Sequence, residues 1–159
     1  MMKFIIGDGE EREALKTYTN QIGLDFLNGD FENGMKATVH FTSWIKEIDW
    51  ANAGLDIIAL SSLNEGTPVS LIEAQAAGTP IITTKVGGVR DIVQNNKTGI
   101  IVPANNPNLF IKKLQILVED EQLRKKMSDN GWDFVKDKFH FNRLVKDMRD
   151  LYENLLHKA

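Results

Sequence analysis

Short apolar runs and helical patterns alternate along this chain, which predicts βαβ succession and a parallel sheet. Phe4, Ile5 and Ile6 form the first apolar run, a strand ending at Gly7, Asp8 and Gly9. Residues 10–22 carry acids early and place Leu15, Tyr18 and Ile22 on one helical face, with Gly23 positioned to end the helix. Residues 38–42 alternate around Val39 and Phe41 and predict a strand. A short helix follows over 45–54, carrying Ile48 and Trp50, then a buried strand over 56–60. Thr67 suits an N-cap and Pro68 the first helical position; the helix runs to Ala77, Gly78 ends it and Pro80 bars its return. Residues 80–84 predict a strand, 89–94 a short helix and 98–102 the last strand. Beyond these the chain is helical. Asn106 and Pro107 cap a helix to about Val118, Asp120 opens another with Leu123 and Met127, and 141–156 form the third. In that third helix Leu144, Val145, Met148, Leu151, Tyr152, Leu155 and Leu156 make one apolar stripe. Residues 25–37 break the rhythm. Asn28-Gly29 and Asn33-Gly34 are hairpin signals among short apolar stretches, and predict a local insertion built as a β-hairpin.

Composition narrows this picture. A chain of 159 residues, 42% hydrophobic and 26% charged, is expected to form one domain. A domain of this size buries roughly 70% of the surface its unfolded chain exposes and needs no metal or disulfide to fold. There is no cysteine, which excludes a thiol nucleophile and thiolate zinc sites, and fits a reducing, cytoplasmic setting. A net charge of −3 argues against nucleic-acid binding. The apolar run at the N-terminus is too short for a signal peptide or a membrane span. His40, His140 and His157 lack metal-ligand spacing, so no metal is expected. Trp132 and Phe139 are expected to pack, and Arg124-Lys125-Lys126 to form a solvated helix face.

An open parallel sheet binds ligands at the carboxyl ends of its strands, here the loops after Leu60, Thr42 and Thr84. The loop after Leu60 is the richest. It leads through Glu65, Gly66, Thr67, Pro68, Val69, Ser70 and Leu71 to Glu73, joining a strand to a helix N-terminus whose unpaired N–H groups attract anions. Glu65 precedes the helix and Glu73 lies within it, a placement suited to gripping separate parts of one long ligand rather than to a hydrolase acid and base pair. A surface loop Glu and a solvated helix Glu fit the same pattern on these residues alone. Gly87-Gly88 can line the site or serve a turn that needs permissive φ.

The stretch from Glu65 to Pro80, with Thr83 to Asp91 and its Gly87-Gly88-Val89, closely resembles the signature of retaining GT-B glycosyltransferases of family 4. Gly7-Asp8-Gly9, Val39-His40-Phe41, the run from Lys97 to Pro103, and Leu151-Tyr152 extend the similarity. The resemblance implies an α/β, Rossmann-like donor-binding domain, the C-terminal half of a two-domain enzyme. It implies that Glu65, the catalytic candidate, bonds the donor sugar, that backbone amides around Gly66 to Ser70 contact sugar hydroxyls and phosphate, with Thr67, Pro68, Val69 and Leu71 among the donor-binding residues, and that Glu73 holds the ribose. It places Thr42, Ser43 and Trp44 beside the nucleobase, although the family commonly has Gly where this chain has Ser43. The expected partners are a nucleotide-diphosphate sugar, as substrate rather than cofactor, and an N-terminal acceptor domain that this chain does not contain. Any peripheral membrane contact would belong to the full-length protein. A first strand and helix bearing an Arg and a Lys for the donor diphosphate are expected to be absent, so the isolated chain is expected to be inactive. Two alternatives remain open: half of a nucleotide-sugar 2-epimerase, and a non-catalytic module that joins a separate N-terminal subunit.

Overall fold

The computed structural model describes residues 2–29 and 37–157. They fall into two compact units, Met1–Ile48 and Asp49–Ala159, each built on a three-stranded parallel sheet.

In the first unit, β1 (Lys3–Ile6), α1 (Arg12–Gln21), β2 (Phe26–Asn28) and β3 (Val39–Ser43) give the strand order β1-β3-β2. Gly23, at φ +73, follows the end of α1, as its sequence position predicts. The apolar face of α1 is not the buried one, however. Leu15, Tyr18 and Ile22 stay exposed, and Thr19 is the buried residue of this helix. The expected hairpin over 25–37 is partly replaced by something else: Phe26–Asn28 pairs in parallel with β3, Phe26 opposite Val39. Asn33-Gly34 lies outside the described residues. Phe41 is fully buried and meets the Phe26 ring edge-on at 5.4 Å. Arg12 ties the unit together by donating to the carbonyls of Gly7 (2.9 Å) and Phe41 (3.2 Å) and to Asn28 Oδ1 (2.8 Å).

The second unit orders its strands β4 (Ile58–Leu60), β5 (Ile81–Thr84) and β6 (Gly99–Val102). Its helices are α2 (Ile48–Gly54), which begins at the unit boundary, α3 (Val69–Ala76), α4 (Val89–Ile92), α5 (Pro107–Glu119), α6 (Glu121–Lys138) and α7 (Phe141–Leu156). Alternation along β5 sends neighbouring side chains to opposite faces. Ile81 packs with Leu71, Ala74, Val89, Ile92 and Val93 from α3 and α4, while Ile82 packs with Ile100, Val102, Leu117 and Met127 under α5 and α6. Both isoleucines are fully buried, worth roughly 1.5–3 kcal/mol each. β4 departs from expectation. It is only half-buried with Ala59 exposed, and among the described residues it pairs with β5 alone.

The helix signals from Asn106 and Asp120 are met, since each side chain accepts from the N–H three residues on, Leu109 and Leu123. Arg124 is not simply solvated: it donates to the Leu117 (2.6 Å) and Val118 (2.8 Å) carbonyls and caps the end of α5. Phe139 packs as expected against the Leu71 cluster, but Trp132 is half exposed, lining a shallow surface pocket beside Gly78 and Ser128. The α7 stripe is intact as a pattern, yet this helix buries no residue. No helix of the described residues is long and apolar enough to cross a membrane.

Candidate functional site

The loop between β4 and α3 gathers most of the predicted residues, and its shape is set by the turn after β5. Gly87 has φ +44, and a Cβ there would lie 1.7 Å from the Glu65 carbonyl oxygen and 2.8 Å from that of Gly66. Gly88 N–H donates to the Gly66 carbonyl at 2.7 Å. A Cβ on Gly88 would come within 2.9 Å of the same oxygen. At Gly87 the turn reading applies: the backbone takes a left-handed conformation, and the missing side chain lets the backbone of the Glu65 loop press against it. A second tie lies upstream, where buried Thr84 donates its hydroxyl to the Ser62 carbonyl.

These ties move the start of α3. Pro68, not Thr67, is the N-cap residue, at φ −71 and ψ 99, and no side chain caps the helix. Because Gly88 engages the Gly66 carbonyl, residues 66 and 67 are held outside the helix. Leu71 N–H turns back to the Pro68 carbonyl at 3.1 Å. The N–H groups of Val69 and Ser70 have no acceptor among the described residues, as the first turn of an uncapped helix requires. Val69 and Ser70 are exposed and Pro68 is buried, so this donor pair faces open space. No heavy atom lies within 4 Å of a Cβ placed on Gly66, which leaves room for a ligand at the junction.

Helical spacing decides which way α3 presents its residues. Leu71, Ala74 and Gln75 are buried, whereas Val69, Ala76 and Ala77 are exposed and Glu73 is half-buried. Glu73 thus lies one turn after Val69 on the open side of the helix, and Leu71, predicted to bind the donor, has its side chain in the core and its N–H on the Pro68 carbonyl. Glu65 is half-buried in the loop. Neither carboxylate takes part in a hydrogen bond or ion pair among the described residues, so both remain available as acceptors. Gln75, fully buried behind them, donates from Nε2 to the Leu71 (3.0 Å) and Ile92 (2.8 Å) carbonyls and ties α3 to the end of α4. Sequence reasoning missed this role, although a Gln in an otherwise apolar inward stripe is the signal that shows it.

Thr42, Ser43 and Trp44 lie in the first unit, at and just past the end of β3. Ser43 has φ +62, a left-handed conformation that favours glycine. Its hydroxyl donates to Asp8 Oδ2 at 3.0 Å and its carbonyl accepts from Gly7 N–H at 2.9 Å. Trp44 is 78% exposed. Among the described residues no group of His, Asp and Glu side chains could hold a metal ion. His40 is buried with its ring 5.3 Å from that of Phe4, and His140 accepts from Asn142 N–H at the start of α7.

Residues 2–133 match the family described as glycosyl transferases group 1. An uncharacterized glycosyltransferase of Methanocaldococcus jannaschii, MJ1178, is 28% identical over 151 residues, which is 95% of this chain and 40% of that protein. The crystal structure of the C-terminal domain of a group 1 glycosyl transferase, LpcC from Francisella tularensis, superposes with a TM-score of 0.67 at 28% identity, covering 80% of this chain and 62% of that one. Anabaena Alr3699/HepE, solved in complex with UDP-glucose, shares the fold at a TM-score of 0.78 and 18% identity, over 96% of this chain and 41% of that one. The chain thus spans about 40% of the length of the curated relative MJ1178.

Proposed function

Since the chain belongs to the glycosyl transferases of group 1, we propose that it binds the nucleotide-diphosphate sugar donor of a longer enzyme, which transfers the sugar to an acceptor with retention of configuration. The observation that carries this reading is the junction at α3. Two free N–H donors and the positive end of the helix face open space at Val69 and Ser70, with unpartnered carboxylates before and after them. The N–H pair takes a phosphate or a sugar oxygen. Glu65, the catalytic candidate, accepts from donor-sugar hydroxyls and stands next to the bond that breaks. Glu73, a turn into the helix, accepts from the ribose hydroxyls.

The 159-residue chain alone is expected to bind without catalysing transfer. The remaining length of a relative such as MJ1178 leaves room for the acceptor side of the enzyme, and the exposed apolar stripe of α7 is a surface that such a partner would cover. Calorimetric titration of the chain with UDP, GDP and ADP sugars tests the donor reading. One of them should bind, and Glu73→Ala should weaken it about 10- to 100-fold, the worth of charge-assisted hydrogen bonds. Failure of all three to bind, or equal affinity of Glu73→Ala, refutes it.

A further inference from the structure

A pocket of about 430 Å³ opens elsewhere in the second unit, lined by Lys85, Arg90, Val93, Asn95, Ile101 and Pro103. Lys85 follows the last residue of β5 and Pro103 the last of β6, so this pocket too lies at the carboxyl ends of the sheet, where ligands of parallel sheets bind. Lys85 N–H donates to the Val102 carbonyl at 2.7 Å, fixing the point from which its side chain projects. Val93 is buried and Ile101 half-buried, giving an apolar floor on which a charge interacts more strongly than in bulk water.

The chain as a whole is slightly acidic, whereas the charged residues lining this pocket are cations only. It carries 22 acidic against 19 basic residues, and several cations elsewhere are paired with carboxylates: Lys16 with Glu13, Lys125 with Asp129, Lys136 with Asp133, Arg143 with Asp147. The side chains of Lys85 and Arg90 have no such partner among the described residues, and no acid lines their pocket. Asn95 spends its Oδ1 on Ile101 N–H at 2.8 Å, which leaves its Nδ2 donors unused. Two cations and an amide donor, converging without an acceptor, suit a compact polyoxyanion.

We propose that Lys85, Arg90 and Asn95 form a phosphate-binding subsite separate from the α3 N-terminus. The ligand chemistry is a phosphate group, carried either by a phosphorylated acceptor or by the donor nucleotide. Only the second source rests on the donor reading above.

Titration of the ¹⁵N-labelled chain with inorganic phosphate at constant ionic strength, followed by NMR, tests it. Saturable shifts should appear at Lys85, Arg90 and the Asn95 side-chain amide. The doubly neutralised variant K85Q/R90Q should bind at least about tenfold more weakly, whereas Lys85→Arg should keep the site. Both side chains are exposed, so the double variant should retain the wild-type spectrum away from the pocket. Repeating the titration in saturating UDP separates the sources. Persistence of the phosphate shifts assigns the site to the acceptor, and displacement of phosphate with movement of the same resonances assigns it to the donor. If UDP, GDP and ADP all fail to bind, the donor reading fails while the phosphate titration still stands. Absence of saturable shifts, or the same affinity in K85Q/R90Q, overturns the proposal.

Discussion

Replacing Gly87 by Ala should damage the site more than its size suggests. The new Cβ would sit 1.7 Å from the Glu65 carbonyl oxygen and 2.7 Å from the Glu65 carbonyl carbon, and both are backbone atoms that no rotamer change can move. A non-glycine residue at φ +44 adds about 1–2 kcal/mol of backbone strain, and overpacking adds about 1–3 kcal/mol, for a total of about 2–5 kcal/mol. Two neighbours calibrate the estimate. Gly88 has φ −79 and would bring its Cβ 2.9 Å from the Gly66 oxygen, so Gly88→Ala carries the packing cost alone, about 1–3 kcal/mol. Nothing lies within 4 Å of a Cβ on Gly66, so Gly66→Ala should stay within about 1 kcal/mol of wild type. Each kcal/mol moves the thermal midpoint by roughly 2–4 °C in a chain of this size, so the order Gly66, Gly88, Gly87 is readable by differential scanning calorimetry. The three variants also differ in binding. Gly66→Ala should lose nucleotide affinity at unchanged stability, because a methyl group intrudes where the ligand approaches, whereas Gly87→Ala should lose both. A Gly87→Ala midpoint within about 2 °C of that of Gly66→Ala would show that the turn after β5 does not brace the Glu65 loop.

Ser43→Gly should stabilise the chain by about 0.5–1 kcal/mol, since relief of the left-handed backbone outweighs an exposed hydrogen bond to Asp8, while Ser43→Ala, which keeps the strain and loses the bond, should destabilise it; a urea midpoint lowered by Ser43→Gly contradicts this. Gln75→Leu should cost about 1–3 kcal/mol in the same denaturation assay, because the buried Ile92 carbonyl loses its donor, and a neutral result would mean that α3 does not need this tie. The hydrogen bonds from Thr38 hold the Asp25 carboxyl below its ordinary pKa. A carboxyl lowered on folding contributes stability above its ordinary pKa and loses it as pH falls through the lower folded value, so acid should progressively remove this contribution. NMR titration should place the Asp25 midpoint below that of an unfolded-state peptide, and Thr38→Val should raise it; an unchanged midpoint in that variant counts against Thr38 as the cause.

Features governed by residues within a turn of one another were legible in the sequence. Asn106 and Asp120 each cap a helix through the N–H three positions on, and Gly23 and Gly78 each end one at positive φ. No distant group competes for those atoms. Thr67 shows where this fails. Its neighbour Gly66 is engaged by Gly88, 22 positions later, and this contact shifts the start of α3 to Pro68. The Glu65 to Glu73 segment was legible as a junction with free donors, but its brace at Gly87 is a tertiary contact that no local pattern encodes, and the inward-facing Gln75, though marked by its apolar stripe, gives no sign that its partner is the Ile92 carbonyl. β2 was hidden for a similar reason. Its hairpin-type Asn28-Gly29 describes a local turn, while its actual partner, β3, is set by a parallel register that skips over the intervening segment.

Amphipathic periodicity raises a different problem, because it reports that a helix has an apolar face without saying what covers it. The α5 face is buried: Leu117 is fully enclosed, and Leu109, Phe110 and Leu114 pack on the Ile82 cluster. The α7 pattern is at least as regular, yet Leu144, Val145, Leu151, Tyr152, Leu155 and Leu156 are each at least half exposed. A stripe this long is costly to leave in water, at roughly 25 cal/mol for each Å² of apolar surface. Single exposed hydrophobic residues need no explanation, but a contiguous face along a whole helix does. The same sequence rule thus gives a packed helix in one case and an uncovered one in the other. The difference lies in the surface opposite each helix, which for α5 is the sheet of its own unit. For α7, nothing among the described residues buries the stripe, and because the chain spans about 40% of its relative MJ1178, the proposed binding and transfer are to be tested on a protein of that full length as well as on this chain.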